Sequence, residues 1–136
     1  MANQVERQIT LEGQRNMTVK WTGVLDTSDF TLTPALALSD CRYNFPGSRL
    51  VGFRVDEVTW TASNGLVLQL TWNAALPQLI AAMAGQGMIC AEESGGYSPD
   101  RNRAGYDGSL NLSSAGYPAG TTANFTVSVE LVKRYA

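Results

Sequence analysis

Apolar and polar residues alternate with a period of two along much of this chain, most regularly between Leu50 and Asn73, LVGFRVDEVTWTASNGLVLQLTWN. Val58, Trp60 and Ala62 alternate before Ser63-Asn64-Gly65, and Leu66, Leu68, Leu70 and Trp72 alternate after it. Successive side chains of a strand point to opposite faces, so each run is a half-buried strand, and two runs around a turn signal predict a β-hairpin. Loop length sets the register. A two-residue Asn64-Gly65 turn would place Trp60 opposite Gln69 and set apolar stripes against polar ones. A three-residue loop instead pairs Ala62 with Leu66, Trp60 with Leu68 and Val58 with Leu70, with Gly65 in the left-handed position that needs no Cβ. Val51, Phe53 and Val55 have the opposite parity from Val58, and one extra residue near Asp56-Glu57, a β-bulge, would return all of them to one face.

The same period recurs elsewhere. Val5, Ile9 and Leu11 alternate with polar residues, interrupted by Arg7; Gly13 to Asn16 is a turn; and Met17, Val19, Trp21, Gly23 and Leu25 resume the alternation, predicting a first hairpin. Asp26 to Gly47 is less regular, with a turn or helix start at Asp26 to Asp29 and a short helix or strand at Pro34 to Leu38; Pro34 and Pro46 argue against one continuous element. In Asn73 to Met83 the helical spacing of Leu76, Leu79, Ile80 and Met83 competes with a strand reading. The strand is preferred because the segment is short and follows a strand-like run. Gly85-Gln86-Gly87 then reads as a bend before Met88 to Ala91. Ser109 to Ser113 is a short strand, Ala115 to Gly120 a turn, and Thr121 to Arg134 a long closing strand on Phe125, Val127, Val129 and Leu131.

Glu92 to Gly108, EESGGYSPDRNRAGYDG, has turn formers at nearly every position and no apolar period. A loop that long is uncommon unless it is functional or disordered. About eight strands joined by glycine-rich connections, with at most one short helix, predict an all-β fold: a single two-sheet β-sandwich domain, jelly-roll-like, over residues 1–136 with a short N-terminal arm, a partly closed barrel being the alternative.

Composition narrows the chemistry. The chain has no histidine and only two cysteines. It therefore lacks the commonest general base and transition-metal ligand, and Cys41 and Cys90, far apart and outside any CxxC pair, read as two buried free thiols, with a single disulfide the alternative that no export signal favours. A net charge of −2 without a basic run offers nothing to nucleic acid. No apolar run of membrane-spanning length and no export signal is present. The adjacent carboxylates Asp56-Glu57 and Glu92-Glu93 point to opposite faces if they lie on strands and do not converge on a substrate. The glycines at 85 and 87 lack the rest of a dinucleotide fingerprint. No catalytic, cofactor-binding or metal-binding residue is assigned, and no cofactor is expected.

What remains is binding. Arg101 and Arg103 present two guanidinium groups in the long loop, flanked by Tyr97 and Tyr106, and arginine and tyrosine are the residue types enriched where interfaces concentrate their energy. Ser94 to Gly108 is accordingly the expected contact loop. A different class of function, a sugar-stacking platform, would use Tyr97, Tyr106 and Tyr117.

The run RLVGFRVDEVTWTASNGLVLQLTWNA, then Pro77 and Ile80, GQG, the GG loop, Ala104-Gly105 to Gly108, the ending VSVELVKRY and the opening Thr22 to Asp29 resemble a family of small structural proteins of tailed bacteriophages. These are similar in kind to capsid decoration or cement proteins. The resemblance runs over most of the chain and rests on glycines and apolar alternation; it supplies a role and no functional residues. It implies a non-enzymatic virion protein, made in the bacterial host cytoplasm, that binds the major capsid protein. Self-association as a dimer or trimer is expected separately, from long terminal strands at sheet edges.

Overall fold

The computed structural model describes residues 3–63 and 65–136. Among them the chain forms nine strands: β1 (Gln4–Glu12), β2 (Asn16–Leu25), β3 (Thr31–Leu36), β4 (Leu50–Ala62), β5 (Val67–Trp72), β6 (Gln78–Ala84), β7 (Gln86–Cys90), β8 (Leu110–Ala115) and β9 (Ala123–Tyr135). Short 3-10 turns occur at Leu38–Asp40 and Glu92–Ser94. Of Pro34 to Leu38, open between helix and strand from the sequence, Pro34 to Leu36 is strand and Leu38 begins a 3-10 turn; in Asn73 to Met83 the preferred strand forms from Gln78 onward.

Two antiparallel sheets face each other, one in the order β1-β2-β9-β4-β7 and the other β3-β8-β5-β6. From β2 onward the chain changes sheet at every connection except β5 to β6. This is the eight-stranded jelly-roll order, with β1 added to one edge. The β-sandwich expected from the sequence is the fold.

The predicted central hairpin does not form. β4 and β5 lie in different sheets: Val58 pairs with Val129 and Ile89, and Ala62 with Phe125, while Leu68 pairs with Met83 and Ser114, and Leu70 with Ala81 and Leu112. The pairings of Ala62 with Leu66, Trp60 with Leu68 and Val58 with Leu70 are therefore replaced by an arch that carries the chain from one sheet to the other. The reason is physical. Two apolar stripes can be buried side by side or face to face, and alternation marks which side chains are buried without saying by whom. Gly65 has the expected positive φ of 84°; Asn64, the middle of the proposed loop, lies outside the described residues. The expected bulge is present, since the pairing of β4 with β9 shifts between Val55 and Glu57 and leaves Phe53, Val55 and Val58 all fully buried.

The first hairpin forms as expected, β1 against β2, with a bulge between Ile9 and Leu11. The closing strand lies between β2 and β4 in the middle of its sheet, so of the two terminal strands only β1 is an edge. The core is one cluster filled from both sheets, by Met17, Val19, Trp21 and Leu25 of β2, by Phe125 to Leu131 of β9, and by Leu68, Leu70, Trp72, Met83, Leu110 and Leu112 from the opposing sheet. The expected bend at Gly85-Gln86-Gly87 shrinks to Gly85, and Gly87 lies in β7 with a packing role: a Cβ on it would sit 2.4 Å from the Trp60 ring, whose Nε1 donates to the Ala84 carbonyl at 3.1 Å.

Cys41 is buried, its Sγ 3.7 Å from the Met17 sulfur, and burial pushes its thiol up to about 11. Cys90 corrects the expectation of two buried thiols. It is exposed on edge strand β7, on the side of that strand turned away from the core, and both cysteines are free.

Inward parity along β9 continues past Leu131 to Lys133, which is buried. Its ammonium donates to Glu12 Oε2 at 2.9 Å, to Asn44 Oδ1 at 3.2 Å and to the Tyr43 carbonyl. Glu12 also accepts the backbone N–H groups of Arg42 at 2.6 Å and Tyr43 at 2.8 Å. One ion pair thus ties the first hairpin, the β3–β4 connection and the C-terminal strand together. Burial disfavours the Glu12 carboxylate, but the Tyr43 N–H, Lys133 and the Arg42 N–H outweigh it and hold the carboxyl below its ordinary value of 4.5. Lys133→Ala should cost about 3–5 kcal/mol in urea unfolding, because it leaves a buried carboxylate unpaired. A group with a lowered folded pKa stabilises fully above its ordinary pKa and loses that contribution as pH falls through the folded value. Unfolding measured from pH 7 down to pH 3 should therefore show an acid-side loss of stability that is smaller in Glu12→Gln.

Candidate interaction loop

The connection from β7 to β8, residues 91–109, crosses from one sheet to the other at one end of the sandwich. Its first part is fastened to β4. Ala91 N–H donates to the Asp56 carbonyl at 2.8 Å, and Tyr97 exchanges two backbone bonds with Val55, at 2.7 and 2.9 Å. Asp56, displaced by the bulge, accepts both Nε and Nη2 of Arg54 at 2.7 and 3.1 Å. Gly96 rests on that pair, where a Cβ would come within 2.6 Å of Asp56 Oδ1.

The second part is fastened to the β5–β6 connection. Gln78 and Asp100 exchange side-chain to backbone bonds at 2.8 and 3.1 Å. Ala75 N–H donates to the Ala104 carbonyl at 2.9 Å, and Arg103 Nη1 donates to the Leu76 carbonyl at 3.3 Å. Gly105, with φ 78°, passes so close that a Cβ would meet the Ala75 nitrogen at 2.7 Å. Asp107 accepts from Ser109 N–H at 2.9 Å and from Asn73 Nδ2 at 3.0 Å. Burial works against ionisation of Asp107, and the Ser109 and Asn73 bonds prevail, so its pKa is lowered. The ordering cost of a glycine-rich loop is met within the chain itself.

Within this frame the four residues singled out from the sequence take different places. Arg101 is exposed and makes no hydrogen bond or ion pair among the described residues, and Arg103 is exposed, its guanidinium bonded to the Leu76 carbonyl. Tyr97 is 39% exposed at the base of the loop. Tyr106 is half-buried, with its hydroxyl over Gly52. Burial raises its pKa, a shift that Arg101 moderates and Asp107 reinforces. Arg101 and Tyr106 are thus electrostatic neighbours, and Tyr97 and Tyr106 share one end of the sandwich. Tyr117 does not join them: its N–H meets Asp29 Oδ1 at 3.0 Å and its hydroxyl the Thr121 carbonyl at 2.5 Å, at the end where β9 begins. The sugar platform of Tyr97, Tyr106 and Tyr117 is not assembled.

Sequence reasoning missed Leu76 and Leu79, which are 76% and 59% exposed on either side of Gln78 and so border the loop. Leu79 has the parity of the buried Ala81 and Met83, but the pairing of β5 with β6 shifts between Leu70 and Thr71 and turns Leu79 outward beside Thr71. Exposed leucines bordering a loop whose Arg103 reaches the Leu76 carbonyl form a mixed surface suited to protein contact. Among the described residues no three histidine, cysteine, aspartate or glutamate side chains are grouped to hold a metal ion. An open groove of about 530 Å³ lies beside β1, between Arg7, Leu11, Asp40, Arg42 and Tyr43. No protein family, curated protein or solved structure matches this chain.

The structure also joins carboxylates that the sequence could not pair. Glu57 of β4 stands directly opposite Glu130 of β9. The hydrogen bond to Glu57, together with burial and the nearby charges of Glu57, Glu92 and Asp56, raises the Glu130 pKa above 4.5. A raised carboxyl favours the folded state most at low pH and loses that contribution as pH rises through the folded value. Glu130→Gln should therefore raise stability at pH 7 by no more than about 0.5 kcal/mol, because the pair is solvated. At pH 4 the gain should vanish. A gain of the same size at both pH values in thermal unfolding would mean that charge repulsion is not its source.

Proposed function

We propose that this protein is a non-enzymatic structural component of a tailed-phage virion, a decoration or cement protein that binds the outer surface of the major capsid protein shell. The observation that carries the reading is the fastened loop. Residues 91–109 are tied to β4 and to the β5–β6 connection, yet they leave the Arg101 and Arg103 side chains, Tyr97 and the adjoining Leu76 and Leu79 turned to solvent. A preorganised surface of this kind loses little freedom on binding. The resemblance of the sequence to phage structural proteins supports the role, and the jelly-roll order is an architecture common among viral capsid domains, lectins and cupins. Fold alone does not carry function, and the loop is what makes the role concrete. On a repeating lattice many modest contacts act together, so one loop per copy suffices. Self-association, as a dimer or trimer, belongs to the same reading.

Mass spectrometry of purified particles should find this protein at a copy number of the same order as the major shell protein. A few copies per particle would move it to the tail or portal, and none would reject the role. Replacing Arg101 and Arg103 together by alanine should leave the isolated fold nearly as stable, since both side chains are exposed. Binding to capsids lacking the protein should weaken by about 2 kcal/mol or more, roughly thirtyfold in Kd. Unchanged binding would remove the loop from the contact.

A further inference from the structure

β1 is the longest strand at any sheet edge, nine residues against six in β3, seven in β6 and five in β7. The shorter edges are also blunted. β3 contains Pro34 and a broken register, and the register of β6 shifts beside Gln78, which is already bonded to Asp100. β1 is irregular only near Thr10, and from Gln4 to Ile9 its register with β2 is continuous. Among the described residues no backbone group of Gln4–Glu12 bonds to anything but β2. A continuous edge of this length has one row of N–H and C=O groups left to pair.

We infer that this edge is the contact between two copies of the chain: β1 pairs antiparallel with β1 of a second copy about a two-fold axis at Arg7, joining the two five-stranded sheets into one. The inference rests on the self-association proposed above and names its surface. The register follows from the side chains. With the axis at Arg7, Val5 lies opposite Ile9 of the second copy on the inward face, and the same apolar contact recurs on the other side of the axis. Val5 and Ile9 are each half-buried and already packed on the core, so pairing extends the core across the junction. On the outward face Glu6 lies opposite Gln8. Moving the axis to Glu6 would set against itself a carboxylate with no hydrogen bond or ion pair among the described residues, unlike Arg7, and Val5 against an arginine; moving it to Gln8 would set Arg7 against Ile9.

The axis sets Arg7 opposite Arg7 of the second copy, and each is paired within its own chain. Arg7 Nη1 holds Asp40 Oδ2 at 2.7 Å and also donates to the Ala35 carbonyl at 3.2 Å. Burial opposes ionisation of Asp40, but the Ala37 N–H and Arg7 outweigh it and lower its pKa, so the pair is ionic at neutral pH. Each guanidinium therefore arrives at the axis already neutralised by the carboxylate of its own chain, which offsets the repulsion between the two facing arginines. A symmetric contact must match itself, and this stretch does so in one register.

The test uses the full chain with Cys90→Ser and sedimentation at micromolar concentration, followed by mild oxidation of two further single variants, Glu6→Cys and Gln8→Cys. Directly opposed cross-strand residues have Cβ atoms about 4.5–5.5 Å apart, close to disulfide reach, whereas diagonal ones are about 7–8 Å apart and beyond it. The expected result is a mass twice that of the chain and a disulfide-linked dimer from the mixture of the two variants, at least about tenfold more than from either alone. A monomer or a trimer would overturn the inference, the monomer together with the self-association itself. A dimer in which the mixture links no better than the single variants would overturn the β1 contact while leaving self-association standing.

Discussion

The structure depends on burying two apolar sheet faces against each other, and the pairing of β4 with β9 is the spine of one of them. Each is 13 residues long, and together they run through the middle of the five-stranded sheet. β9 places Ala123, Phe125, Val127, Val129 and Leu131 inward, and β4 adds Phe53, Val55 and Val58. Period-two geometry makes this unforgiving, because a slip of one residue would turn every inward side chain to water. The bulge between Val55 and Glu57 is what lets β4 keep one buried face along its length. Burying a leucine or valine side chain contributes about 1.5–3 kcal/mol, so the correct parity far outweighs any local turn preference.

That same bulge serves the surface. By displacing Asp56 it provides the anchor on which Arg54 and Gly96 settle and beside which Tyr97 pairs with Val55. The loop from β7 to β8 therefore inherits its position from the sheet rather than from its own sequence. Its other fastening, Gln78 with Asp100, is made at the point where the register of β6 shifts and turns Leu79 outward. Two local irregularities in otherwise regular strands thus shape one exposed surface. Bulges commonly re-aim side chains next to functional regions.

The buried Lys133–Glu12 pair works at longer range in sequence. It joins residues 121 apart and holds the β3–β4 connection through Tyr43 and Asn44. A buried ion pair adds little stability over well-packed apolar residues, but it tolerates only the arrangement that satisfies every donor and acceptor. Here the ammonium has three partners and Glu12 Oε2 three donors. The pair accordingly selects how the first hairpin meets the C-terminal strand.

The all-β class, the sandwich, the first hairpin, the bulge at Asp56 and the long closing strand are all legible in the amino-acid sequence, because each is written in local alternation or in a local break of it. Alternation also marks Lys133 as inward, on the same parity as Val129 and Leu131. Strand partners were not legible. Val58 and Leu70 bear equivalent stripes whether adjacent in a hairpin or opposed across a core, and only the packing of the whole chain chose opposition. The exposure of Cys90 and Leu79 was decided in the same way, one by lying on the outer face of an edge strand and the other by a bulge that no residue pattern announces. For the candidate surface, composition named Tyr97, Arg101, Arg103 and Tyr106, while Leu76, Leu79 and the Glu57–Glu130 pair came together only through cross-strand register. Register is a property of two strands at once, and one strand read alone cannot contain it.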